Sequence, residues 1–89
     1  MDKEKIKVFH HSTTRRKYLY DFRKKNYYTM FEVSEMIEMS RNYYEMIENG
    51  RKGQRLSLKT AYKLAILLSI ELQDLYNLEE QYLEEQLHD

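Results

Sequence analysis

The sequence contains no cysteine and no proline, and only two glycines, Gly50 and Gly53, among its 89 residues. Without cysteine there is no disulfide framework, no Cys-ligated zinc site and no thiol nucleophile. Without proline, and with both glycines in one short stretch, the strongest chain-breaking signals fall in a single place and the rest of the chain is free to be helical. The three histidines, His10, His11 and His88, stand near the chain ends and not at metal-ligand spacing, so no metal and no cofactor is expected. Long apolar runs are missing as well. The run at 65–68 ends at Ser69, far short of a membrane span, and Met1 is followed by charged residues in place of an apolar signal segment. A cytoplasmic protein with no membrane contact is the expectation. At this length one domain with a small core is expected, and association with a second copy is a natural source of further stability.

Charge of one sign is missing from part of the chain. The totals balance, with 15 Lys and Arg against 15 Asp and Glu. After Lys63, however, there is no Lys or Arg at all. Residues 1–63 carry all 15 basic groups against eight acidic ones, a surplus of seven, and residues 64–89 carry the other seven acidic groups unopposed. A neutral average therefore conceals a basic body and an acidic tail, and the body has the charge that nucleic-acid binding requires.

What is present reads as helix. Thr29, Ser40 and Ser57 each precede an apolar-periodic segment and are suited to cap the free amides of a first helical turn. Thr29 with Glu32 forms a capping box, flanked by Tyr28 and Val33 at the positions of a hydrophobic staple. Met39 and Tyr44 flank Ser40 in the same way, as do Leu56 and Ala61 around Ser57. The periodicity predicts a first helix from about residue 14 to 25, with Leu19 and Phe22 inward and Arg15, Arg16, Lys17, Arg23 and Lys24 mostly outward. It predicts a second helix at 30–37 burying Val33 and Ile37, and a third at 41–48 burying Tyr44 and Ile47. A fourth at 58–68 turns Leu58, Ala61, Leu64, Ala65 and Leu68 to one face, and a short fifth at 72–76 contributes Leu72, Leu75 and Tyr76. Gly50 suits the left-handed conformation that ends the third helix. The organisation expected is an amino-terminal arm at 1–12, disordered or a strand, a helical domain at 13–76, and an acidic amphipathic helix at 77–89. Leu78, Tyr82, Leu83 and Leu87 give that last helix an apolar face in search of a partner surface.

Caps eleven positions apart at Thr29 and Ser40, with a short turn between the helices, have the dimensions of a helix-turn-helix. The run Ser40-Arg41-Asn42-Tyr43-Tyr44-Glu45-Met46-Ile47-Glu48-Asn49-Gly50 resembles the third-helix signature of the Cro and XRE family of phage-repressor-like regulators. Leu19, Phe22 and Arg23 resemble the family's first helix, Thr29 and Val33 its second, Ala61, Lys63, Leu64, Ala65 and Leu68 its fourth, and Ile70, Leu72, Leu75 and Tyr76 its last. The resemblance covers residues 14–76 and implies an all-α, compact five-helix lambda-repressor-like domain, to which the acidic carboxy-terminal helix is an addition. It also implies that the third helix enters the DNA major groove while the second crosses the phosphate backbone.

Side-chain chemistry then assigns roles within that frame. Arg41 suits guanine O6 and N7, and Asn42 suits adenine N6 and N7. Tyr43 reaches a phosphate or a thymine methyl, and Met46 offers apolar contact only. Arg51, Lys52 and Arg55, in the loop after the third helix, suit phosphates, as does Asn49, and Thr29 presents amides to a further phosphate. Tyr44, Ile47, Val33 and Ile37 are core residues by periodicity, and Glu48 is a charge partner within the domain rather than a DNA contact. Departures from the family pattern are Met30 in place of a frequent Gln, Glu38 and Tyr27 at frequent Gly sites, and a longer loop at 50–57 without its usual Pro. The glycine replacements imply modest backbone strain. Met30, Phe31 and Met36 leave an apolar second helix that invites a cover.

The function expected is a sequence-specific double-stranded DNA-binding regulator, a repressor acting as a homodimer on a palindromic operator. The competing reading is a protein-interaction module of the same fold, or the antitoxin of a toxin–antitoxin pair, contacting its partner through the second helix or the acidic helix. No nucleophile paired with a base, phosphate-binding loop or metal spacing is found, so an enzyme is not expected.

Overall fold

The computed structural model describes residues 15–50 and 55–87. Five helices follow one another: α1 (Lys17–Lys25), α2 (Met30–Met36), α3 (Arg41–Asn49), α4 (Leu58–Leu68) and α5 (Leu72–Leu87). The described residues contain no strand. The anticipated arm at 1–12 lies outside them.

The caps form as their chemistry requires. Thr29 accepts from the Glu32 amide at 3.1 Å while the Glu32 carboxylate receives the Thr29 N–H at 2.8 Å. Ser40 accepts from the Tyr43 amide and Ser57 from the Thr60 amide. Gly50 ends α3 in the left-handed region at φ 74°. Three residues with a Cβ do the same work elsewhere: Tyr27, Glu38 and Ser69 have φ of 60°, 55° and 58°. Each follows a helix and lets the next amide reach back five residues. Tyr28 N–H donates to the Arg23 carbonyl, Met39 N–H to Ser34 and Ile70 N–H to Ala65. The turns are thus built without the glycine that would adopt this conformation at least cost.

Leu19, Val33, Ile37, Tyr44, Ile47, Ala61, Leu64, Ala65 and Leu75 form the core, as the periodicity requires. Three expected members do not join it: Leu58 and Tyr76 are exposed, and Phe22 is half-buried with its ring beside Tyr28. Leu58 shares the row of Tyr62 and Ile66, four and eight residues on, and that row faces away from the Ala61, Leu64 and Ala65 face. Met30 turns partly inward against the core, whereas Phe31 and Met36 stay exposed.

Helix α1 departs from expectation at its start and in its charges. It begins at Lys17, because Arg16 is held in extended conformation with its own N–H donating to the Glu48 carbonyl at 2.7 Å. Arg16 and Arg23, expected to face water, are both buried. The Arg16 guanidinium donates through Nε and Nη2 to the two Glu79 oxygens at 2.7 and 3.0 Å, and through Nη1 to the Ile47 carbonyl at 2.9 Å. Its central carbon Cζ lies over the Tyr82 ring, 4.4 Å from the ring centre, and the Tyr18 hydroxyl donates to Glu79.

This arrangement also revises the reading of the carboxy-terminal segment. The expected short fifth helix and separate acidic helix are one continuous helix, α5. No cap or helix breaker intervenes near Tyr76 and Asn77. Leu75, Glu79 and Tyr82 share one face, and all three are buried against the body. Of the apolar side of the acidic segment, Tyr82 has thus found a surface within its own chain, while Leu78 and Leu83 stay half-buried.

Breaking a buried ion pair from one side leaves the other charge unpaired at a cost of about 3–5 kcal/mol, whereas replacing both members with apolar groups is often nearly neutral. Arg16→Ala and Glu79→Ala should each lower stability by an amount of that order in urea unfolding, and Arg16→Met with Glu79→Leu should recover most of the loss. Tyr27 is 92% exposed and so buries little in its strained position. Tyr27→Gly should raise stability by about 0.5–1 kcal/mol, read as a higher melting temperature.

Candidate DNA-binding site

The third helix is built to be held on one side and presented on the other. Tyr44, Ile47 and Glu48 are buried, while Arg41, Asn42 and Tyr43 stand exposed in its first turn. Its amino terminus is capped by Ser40, and the left-handed Glu38 sets its angle to α2. That turn is pinned from α4, where Lys63 Nζ donates to the Glu38 carbonyl at 2.9 Å.

Two buried arginines brace the other end of α3. Arg23 makes a two-pronged pair with Glu48, Nε to Oε1 at 2.9 Å and Nη2 to Oε2 at 2.8 Å, and its Nη1 donates to the Tyr28 carbonyl at 3.2 Å. One side chain thereby joins α1, α3 and the α1–α2 turn. Arg16 takes the Ile47 and Glu48 carbonyls, supplying donors and positive charge where a helix end carries partial negative charge. Glu48 is the structural charge partner that its position suggested, and the Arg23 bonds help explain how the carboxylate is accommodated with no exposure.

Tyr44 is the imperfect member of this group. Its buried hydroxyl completes no hydrogen bond among the described residues, Glu48 being engaged by Arg23. Burial, followed by the nearness of the Glu48 carboxylate, pushes the hydroxyl above the ordinary phenol range. Burial and the Glu79 carboxylate do the same to Tyr18.

The sequence-assigned residues fall into several groups. Arg41, Asn42 and Tyr43 are exposed side by side, with Met46 half-buried behind them and Asn49 half-buried at the far end of α3. Thr29 and Arg41 line one open hollow together with Arg23, Lys24, Tyr27 and Phe31. The Thr29 hydroxyl oxygen accepts from the Glu32 amide and the Thr29 amide donates to the Glu32 carboxylate, which fixes the helix start and leaves the hydroxyl proton free to donate. Arg55 is exposed but lines a different hollow, beside Tyr76, Glu79, Glu80 and Leu83. Arg51 and Lys52 lie outside the described residues. Lys24 was not among the assigned residues. The basic last turn of α1 was its visible signal, but only the tertiary structure sets it beside Thr29 and Arg41. Among the described residues no group of His, Asp and Glu is arranged to hold a metal ion, and no helix is long and apolar enough to cross a membrane.

Residues 19–75 match a family model described as helix-turn-helix. No curated protein and no solved structure matches the chain. The matched segment spans α2 and α3 with their neighbours. Arg16 and Tyr18 just before it, and Glu79 and Tyr82 just after it, make the bonds that close the two flanks on each other.

A buried phenol whose pKa is raised on folding contributes stability that is intact below its unfolded value, near pH 10, and is lost as the pH rises beyond it. Tyr44→Phe removes one such group and a buried hydroxyl without a partner. Its stability at neutral pH should stay level or rise by about 1 kcal/mol. Its loss of stability above about pH 10 should be less steep than that of the unsubstituted chain, with Tyr18 and Tyr82, whose hydroxyls burial also pushes up, still contributing.

Proposed function

The chain belongs to the Cro and XRE helix-turn-helix family and is a DNA-binding transcription regulator; from that premise we propose that it is a repressor that reads a palindromic operator as a homodimer. The observation that carries this reading is the exposed triplet Arg41, Asn42 and Tyr43 on the first turn of a helix whose opposite face is fully engaged. A recognition helix must offer polar groups to base edges without rearranging, and bracing at both ends supplies that rigidity. Arg41 pairs with guanine and Asn42 with adenine, with Tyr43 and Met46 as neighbouring apolar or phosphate contacts. Thr29, Asn49, Arg51, Lys52 and Arg55, with Lys24 added, are assigned to the phosphates. A twofold operator then has half-sites about 34 Å apart, one turn of the duplex.

The alternative is capture of another protein through the second helix or the acidic helix; the acidic helix draws less support, because Glu79 and Tyr82 are already engaged within the chain, while Phe31 and Met36 of the second helix stay exposed. The family to which the chain belongs is not typically enzymatic.

Fluorescence anisotropy on DNA fragments selected from a random pool tests the reading. Affinity should fall steeply with salt, by roughly 0.9 log units per log unit of salt for each phosphate neutralised. Arg41→Ala should remove about 1–3 kcal/mol of discrimination between selected and random duplexes, whereas Lys52→Ala should weaken both alike. Absence of binding to any duplex at low salt would sink the proposal.

A further inference from the structure

The outer side of α4 carries an apolar row that the DNA-binding reading leaves unused. Leu58, Tyr62 and Ile66 are 65%, 58% and 61% exposed, and Met36 of α2, 46% exposed, lies next to Ile66 in a hollow they share with Ile37, Glu38 and Lys63. At four-residue spacing, successive members of the row are offset by only about 40° around the helix, so they form one continuous ridge. The exposed parts of these four side chains amount to apolar surface on the order of 300 Å². A contiguous patch of this size is in the range of the largest on a monomeric protein, and such patches are often functional.

We propose that this row is the contact between two copies of the chain, arranged with the two α4 helices antiparallel about a twofold axis passing beside Tyr62. The proposal rests on the homodimer reading above and assigns it a surface. A twofold contact requires a patch complementary to itself, and the two ends of this row differ in charge, with Lys59 at the Leu58 end and Glu35 and Glu38 at the Ile66 end, where Lys63 donates to the Glu38 carbonyl. With Tyr62 against its twin, Leu58 of one copy falls opposite Ile66 of the other. Lys59 flanks the Leu58 end of the ridge, and Glu38 flanks the Ile66 end, with Glu35 one turn earlier on α2. All three are exposed or partly so, and the antiparallel arrangement carries each Lys59 toward the Glu35 and Glu38 of the second copy. The helix dipoles of the two α4 segments oppose as well. Two such ridges supply an apolar centre of about 600 Å², about half of the roughly 1,200 Å² of a stable interface, the rest falling to the polar and charged rim.

The absence of cysteine makes the test specific, because a single introduced thiol is unique in the chain. In the full chain, Tyr62→Cys should form a disulfide-linked dimer under mild oxidation. Leu58→Cys alone and Ile66→Cys alone should remain largely unlinked, and a mixture of the two should cross-link. Tyr62→Glu should weaken the dimer at least about tenfold by light scattering while keeping a cooperative circular-dichroism melt. An unsubstituted chain that is dimeric, with no Tyr62→Cys cross-link or with a Tyr62→Glu variant that stays dimeric, overturns the α4 interface and leaves the homodimer reading standing. A chain that is monomeric at about 100 μM and binds DNA as a single copy overturns both.

Discussion

Arg16 sits where the beginning, middle and end of the chain meet. Its backbone amide and one guanidinium nitrogen take carbonyls from the last turn of α3, two further nitrogens take Glu79 of α5, and its central carbon lies over the Tyr82 ring. A guanidinium in a fully buried position is tolerable only when its donors are met by well-placed acceptors. Carbonyls at a helix end and a carboxylate fixed by a second donor, Tyr18, provide such acceptors. The packing of α5 and the placement of α3 therefore depend on the same side chain. Arg23 repeats the logic one helical face away, with Glu48 as its partner.

Charge segregation acquires a structural meaning from this. The acidic tail does not simply balance the basic body; Glu79, one of its members, enters the interior and neutralises a basic group that would otherwise be buried alone. The exposed remainder, including Glu80, Glu84 and Glu85, stays on the solvent side of α5. The positive groups beside the first turn of α3, Arg41 and Lys24, are left outward, where long-range attraction to a polyanion operates.

Rigidity of the helix pair α2–α3 comes at a local backbone cost. Glu38 adopts a left-handed conformation with a Cβ present, and so does Tyr27 before α2. The Lys63 bond to the Glu38 carbonyl and the Arg23 bond to the Tyr28 carbonyl hold both turns in place. Strain of this kind persists where surrounding contacts over-determine the conformation, and here those contacts come from α4 and α1, the helices that frame the pair.

Local relations were legible in the amino-acid sequence because each involves residues three to five apart. The caps at Thr29, Ser40 and Ser57, the glycine end of α3 and the core rows of α2, α3 and α4 follow from hydrogen bonding and periodicity within single helices. The signature over residues 40–50 pointed to the family by the same local means. Leu58 was misplaced because an apolar residue at a helix start fits two adjacent rows, and only packing chooses between them. Arg16 and Arg23 read as surface residues because their partners lie 63 and 25 positions away. The continuity of α5 was legible locally, since no cap or breaker separates Tyr76 from the acidic segment, but the burial of Glu79 was not, because its partner Arg16 lies 63 positions away. The sequence by itself determined which segments are helical and which family they compose. Tertiary structure decided which charges are spent inside and which remain outside, because burial of a charge is settled by distant partners and not by its neighbours in the chain.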